Sequence, residues 1–137
     1  YFLCASPVVS YEAGVISTMT FKEAVSIVEG TFFWGDELAD SIELRAACGA
    51  DLMSDVMAFV KEQVLLLTGL VNPQVIRTAE LMDIRAILFV RGKKPTPDMV
   101  DMARDAGIAL AGTREPMFIA CGKLYEAGLR SGGTRSI

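Results

Sequence analysis

Histidine is absent from the sequence altogether. Its absence excludes Ser-His-Asp and Cys-His nucleophile systems and removes the commonest transition-metal ligand. Cysteine is scarce. Cys4, Cys48 and Cys121 are an odd number without CxxC spacing, which offers neither a disulfide framework nor a zinc site and suits a reducing cytoplasm. Neither GxGxxG nor GxxxxGK[ST] occurs, so the dinucleotide fingerprint and the P-loop are both missing. No apolar run reaches the roughly 18 to 20 residues that cross a bilayer, and the expectation is a soluble cytoplasmic protein without membrane contact. Basic residues are scattered and the net charge is −4, so nucleic acid is not an expected partner.

What is present suits one packed domain. Apolar residues make up 52% and charged residues 22% of 137, enough chain to bury a core without metal or disulfide. Residues 1–18 are apolar but lack the basic start of a secretory signal. They are expected to be an N-terminal extension: a native edge strand, a linker from a longer parent, or added sequence. Thr20 and Glu23 form a capping-box pattern at a helix start, and Met19 suits a natural beginning. The expected organisation is the extension, one domain over 19–130, and a flexible tail over 131–137.

Along the domain, FKEAVSIVE places Phe21, Ala24, Val25 and Val28 on one helix face, with Gly30 at the stop. TFFW at 31–34 suits a short strand, GDELAD an acidic turn, and Ser41 to Ala50 a further strand. Asp51 reads as the cap of a helix running to about Phe59. A regular series follows, with strands beginning at Val64, Ala86 and Ile108, each 22 residues after the last. Asn72-Pro73 and Thr96-Pro97 mark two helix starts, with a cap followed by proline at the first helical position. Strands alternating with helices predict an α/β fold of three layers, α/β/α, around a mainly parallel sheet.

Ligands meet such sheets outside the carboxyl ends of the strands. Thr68, Gly69 and Asn72, then Arg91, Gly92 and Lys93, then Gly112, Thr113 and Arg114 all fall on that edge; all but Lys93 are the candidate ligand-binding residues, Lys93-Lys94 reading as solvated loop. Gly112-Thr113 can present amides to an anion or simply form a tight loop and cap. Arg91 and Arg114 can clamp a phosphate or carboxylate, or stand solvated. Asp51, Ser54 and Asp55 form a second candidate set. Asp51 and Asp55, four apart, would share a helix face and support acid-base chemistry or Mg²⁺ binding, or else be a cap and a solvent-facing residue. The seven methionines read as core filler rather than a recognition groove.

DLMSDVMAFVKE, LLLTG, AELMDIRAILFVRGKKP and CGKLYEAGL, in that order and spacing, resemble DRTGG domains from about Thr20 to Leu129. The sharpest element is DLxSDVMA, carried by Asp51, Leu52, Ser54, Asp55, Val56, Met57 and Ala58. The chain departs from the family where Arg45, Ala46 and Ala47 stand at the usual threonine and paired glycines, so a role for those glycines does not carry over. The resemblance implies a fold like the N-terminal domain of HPr kinase. Its relatives sit within phosphotransacetylases and between the CBS domains of pyrophosphatases. Stand-alone forms are often encoded with iron-only hydrogenase systems and kinase-like partners. These settings imply regulation or assembly.

The expected function is a non-catalytic regulatory domain acting as a dimeric sensor of a small anionic or nucleotide-like ligand, without cofactor or metal. A docking module for a protein partner is the alternative, and a small enzyme is third. A homodimer is expected because the helix carrying Met53, Met57 and Phe59 and the face at Met117, Phe118, Ile119 and Cys121 exceed what one core covers.

Overall fold

The computed structural model describes residues 18–58 and 62–131. The expectations for residues 1–17, for Phe59 and for the tail beyond Ser131 lie outside them. The chain runs β1 (Met19–Thr20), α1 (Phe21–Ile27), β2 (Thr31–Trp34), α2 (Asp36–Ala39), β3 (Glu43–Leu44), β4 (Ala46–Gly49) and α3 (Met53–Met57). It continues through β5 (Val64–Thr68), α4 (Pro73–Leu81), β6 (Ala86–Phe89), α5 (Pro97–Ala106), β7 (Ala109–Gly112), α6 (Met117–Glu126) and β8 (Arg130–Ser131).

Helix starts follow the local code. Thr20 and Glu23 close a full capping box on α1. The Asn72 side chain accepts from the Gln74 amide, and Thr96 from Met99, each with proline at the next position. α1 ends differently from the expectation. Glu29 takes the left-handed position (φ 54°), while the Gly30 amide returns to the Val25 carbonyl at 2.8 Å. Gly30 has another reason to be glycine: a Cβ there would lie 2.6 Å from the Gly112 carbonyl oxygen.

The main sheet has six strands in the order β2-β7-β6-β5-β4-β8. β8, β4, β5, β6 and β7 are parallel, and β2 joins β7 antiparallel. Leu65, Ala86 and Ala109 pair across the centre, then Leu66, Ile87 and Leu110, then Leu67, Leu88 and Ala111. Alternate rows feed opposite faces. Leu65, Leu67, Leu88 and Ala111 pack under α1 and α6, and Leu66, Ile87 and Leu110 under α3, α4 and α5. Both faces are thus covered, which is why these strands read as unbroken apolar runs. The result is a three-layer α/β/α fold. Among the described residues no helix is long and apolar enough to cross a membrane.

Three local expectations change. Residues 36–39 form the short helix α2 rather than a turn, and the segment Ser41 to Ala50 splits at Arg45 into β3, which pairs with β1, and β4. Asp51 does not cap α3. The cap position is Leu52, without a side-chain bond, and Asp51 lies outside the helix, so it shares no helix face with Asp55. On the presumed interface helices, Met53 is buried, while Met117 and Cys121 are half-buried against the core.

Candidate functional site

The carboxyl edge divides into two clusters. At the ends of β4, β5 and β6, Asp51 Oδ1 accepts from the Gly69 amide at 2.7 Å and from the Thr68 hydroxyl at 3.2 Å. Its Oδ2 lies 3.5 Å from the Arg91 guanidinium. A Cβ on Gly69 would sit 2.1 Å from Arg91 Nη2, so the guanidinium rests directly on that glycine. The Thr68 hydroxyl also accepts from the Leu70 amide, and Asn72 is occupied as the α4 cap. This cluster is saturated: one carboxylate ties three strand ends together and offsets the arginine charge. Ser54 and Asp55 stand exposed on α3, away from these bonds.

The second cluster forms where the chain changes faces. α5 lies on one face and α6 on the other, so the loops after β6 and β7 leave the sheet in opposite directions. Such a divergence defines the crevice of a parallel sheet. Here it is laced shut directly between the strands by Arg91 N–H to the Glu115 carbonyl at 2.8 Å and Gly92 N–H to the Thr113 carbonyl at 2.9 Å. Arg91 and Gly92 both have left-handed backbone (φ 59° and 70°), and Lys93 N–H closes the turn onto the Val90 carbonyl at 3.1 Å. That turn carries Lys93 across the end of β7, its carbonyl 3.6 Å from where a Gly112 Cβ would be.

Because β2 runs antiparallel to β7, its first residue Thr31 lies opposite Gly112. A cavity of about 450 Å³ opens between them, walled by Glu29, Thr31 and Phe33 on one side and Lys93, Lys94 and Arg114 on the other. Gly92, Gly112 and Thr113 complete it. The Phe33 ring packs against bare backbone, with a Gly112 Cβ position 2.6 Å from its Cε2. The Thr113 hydroxyl is already engaged, donating to the Val28 carbonyl at 2.8 Å and accepting from the Glu115 amide. Lys93, Lys94 and Arg114 have no ion-pair partner among the described residues, unlike Lys22, Arg91, Arg104 and Lys123. Glu115 accepts the Lys123 ammonium hydrogen bond and thereby holds that amine above its usual pKa, with Glu29 acting in the same direction.

The structure therefore brings Gly92, Gly112, Thr113 and Arg114 together and places Thr68, Gly69, Asn72 and the side chain of Arg91 apart from them, the Arg91 backbone joining both groups. Glu29, Thr31, Phe33, Lys93 and Lys94 were not among the candidates. The adjacent lysines were the available signal, and the position of β2 was not readable. Among the described residues no group of three or more Cys, Asp and Glu is placed to hold a metal ion.

Together these features define a three-layer α/β domain with a basic cavity at the carboxyl edge of its sheet. No family model and no curated protein matches the chain. Among solved structures it is similar to the CBS and DRTGG domains of the regulatory region of Clostridium perfringens pyrophosphatase, crystallised with the activator diadenosine tetraphosphate. The TM-score is 0.66 at 10% identity, over 85% of this chain and 50% of that one. The chain thus spans half the length of that structure, and the likeness is one of fold.

Proposed function

We propose that this chain is a DRTGG-type regulatory domain that binds a small anionic, nucleotide-like ligand and has no catalytic role of its own. One observation carries the reading: three cations with no ion-pair partner among the described residues converge on one cavity at the strand edge, beside an aromatic ring. Unpaired cations in a concave site favour an anion, since charge-assisted bonds to phosphate or carboxylate are the strong ones. The shared fold supports the regulatory part, the neighbour being a regulatory region that was crystallised with a dinucleoside polyphosphate. A thermal-shift series with nucleotides, acyl phosphates and CoA compounds tests it. A ligand present at a hundred times its Kd adds about 2.7 kcal/mol to the folded state. An unchanged Tm across the whole series refutes ligand sensing.

A second reading, docking of a protein partner or a second copy, is favoured by exposed apolar residues. Phe118 on α6 is 84% exposed and Leu52 before α3 is 61% exposed, with Met57, Ile119 and Tyr125 also standing out. Large exposed apolar groups of this kind mark interfaces. Dimerisation is compatible with ligand sensing, and the proposed sensor is a homodimer.

A further inference from the structure

We infer that the cavity between β2 and the loop after β6 is a nucleoside-polyphosphate site, with the phosphate chain held by Lys93, Lys94 and Arg114 and the base stacked near Phe33. The inference rests on the ligand-sensing reading and narrows it to one site and one ligand class. Three cations face the single carboxylate of Glu29, an imbalance that suits two or more phosphates better than a single carboxylate. Glu29 is itself within the field of Lys123, which draws on the acidic side of that balance. The Phe33 ring lies against Gly112, its Cε2 and Cζ 2.6 and 2.9 Å from where a Cβ would be, a place that any side chain at 112 would take from it. A ring braced on backbone keeps its place without its own conformational cost, as a stacking platform requires. The volume of about 450 Å³ lies within the range of small-molecule sites. Arg91 is not needed, because Asp51 already engages it.

The test is calorimetric titration of the whole chain with ATP, tripolyphosphate and adenosine at low ionic strength. Lys93→Ala combined with Lys94→Ala is expected to raise the Kd of ATP and of tripolyphosphate by about 10- to 100-fold. Arg114→Ala should weaken both in the same direction. Arg85→Ala removes the same unit of charge at the opposite end of β6 and should leave both unchanged. Phe33→Leu should weaken ATP by about tenfold while tripolyphosphate is bound as before, which also shows that the variant is folded. ATP binding that survives the double lysine substitution, or that is lost in Arg91→Ala alone, overturns this site but leaves ligand sensing standing. Equal affinity of ATP and tripolyphosphate, unchanged in Phe33→Leu, overturns the nucleotide assignment. Absence of binding by every anion overturns both the site and the broader reading.

Discussion

Replacing Asp51 gives the sharpest test of how the strand ends are held. Asp51→Ala removes an acceptor from the Gly69 amide, an acceptor from the Thr68 hydroxyl and the partner of Arg91. Gly69 is buried, and stranding its amide costs about 1–3 kcal/mol. The ion pair adds less than about 1 kcal/mol, because the two side chains are 49% and 53% exposed and water screens them. The expected loss is about 2–3 kcal/mol. At about 3–5 °C per kcal/mol for a chain of this size, Tm should fall by roughly 6–15 °C. Asp51→Asn keeps an oxygen for the Gly69 amide but loses the charge, and should cost less than about 1 kcal/mol. If Asp51 capped α3 instead, asparagine would replace it without loss, being an equally good cap. A double-mutant cycle with Arg91→Ala should give a coupling of about 0.2–1 kcal/mol. Urea denaturation that puts Asp51→Ala within about 0.5 kcal/mol of the parent would refute the three-strand tie.

Asp83 occupies the left-handed position after α4 (φ 58°), in a turn closed by the Ile84 amide on the Ala79 carbonyl at 2.7 Å. Asp83→Gly should raise stability by about 0.5–1 kcal/mol, and a lower Tm would contradict that account of the turn. Burial pushes the Cys48 thiol up to about 11 from 9.0, with the charge of Asp55 and then Cys121 adding to it. Cys48 should therefore resist iodoacetamide at pH 8 until the protein is unfolded, and labelling at the rate of the denatured chain would disprove this. A raised folded-state value also means that its contribution to stability is intact below pH 9.0 and lost as pH climbs toward 11. Tm should fall across that window, less steeply in Cys48→Ala. Phe118→Lys should convert a dimer to a monomer in light scattering, and a parent already monomeric at micromolar concentration would remove the dimeric sensor.

Which features were legible in the sequence follows from how far away their deciding partners lie. The helix starts at Asn72 and Thr96 were readable because the amides they cap are two and three residues on. β5, β6 and β7 were readable because a strand buried on both faces leaves an apolar run that needs no knowledge of its neighbours. The predicted starts at 64, 86 and 108 differ from the observed ones only at β7, which begins at Ala109. Asp51 was misread because an acid before a helix looks the same whether it turns inward to cap or outward to a distant strand. The amide that claimed it is 18 residues away. The cavity was less legible still, being the meeting of three segments. Lys93-Lys94 alone is an ordinary solvated loop, and TFFW alone is any short strand. Only the antiparallel docking of β2 on β7 sets Phe33 and Glu29 opposite those lysines. The candidate residues that sequence did find at the edge, Thr68, Asn72 and Thr113, are small polar groups that the fold spends on its own turns and caps. Residues such as Lys93, Lys94 and Arg114 are different: they have no ion-pair partner among the described residues, and the proposed ligand site rests on that.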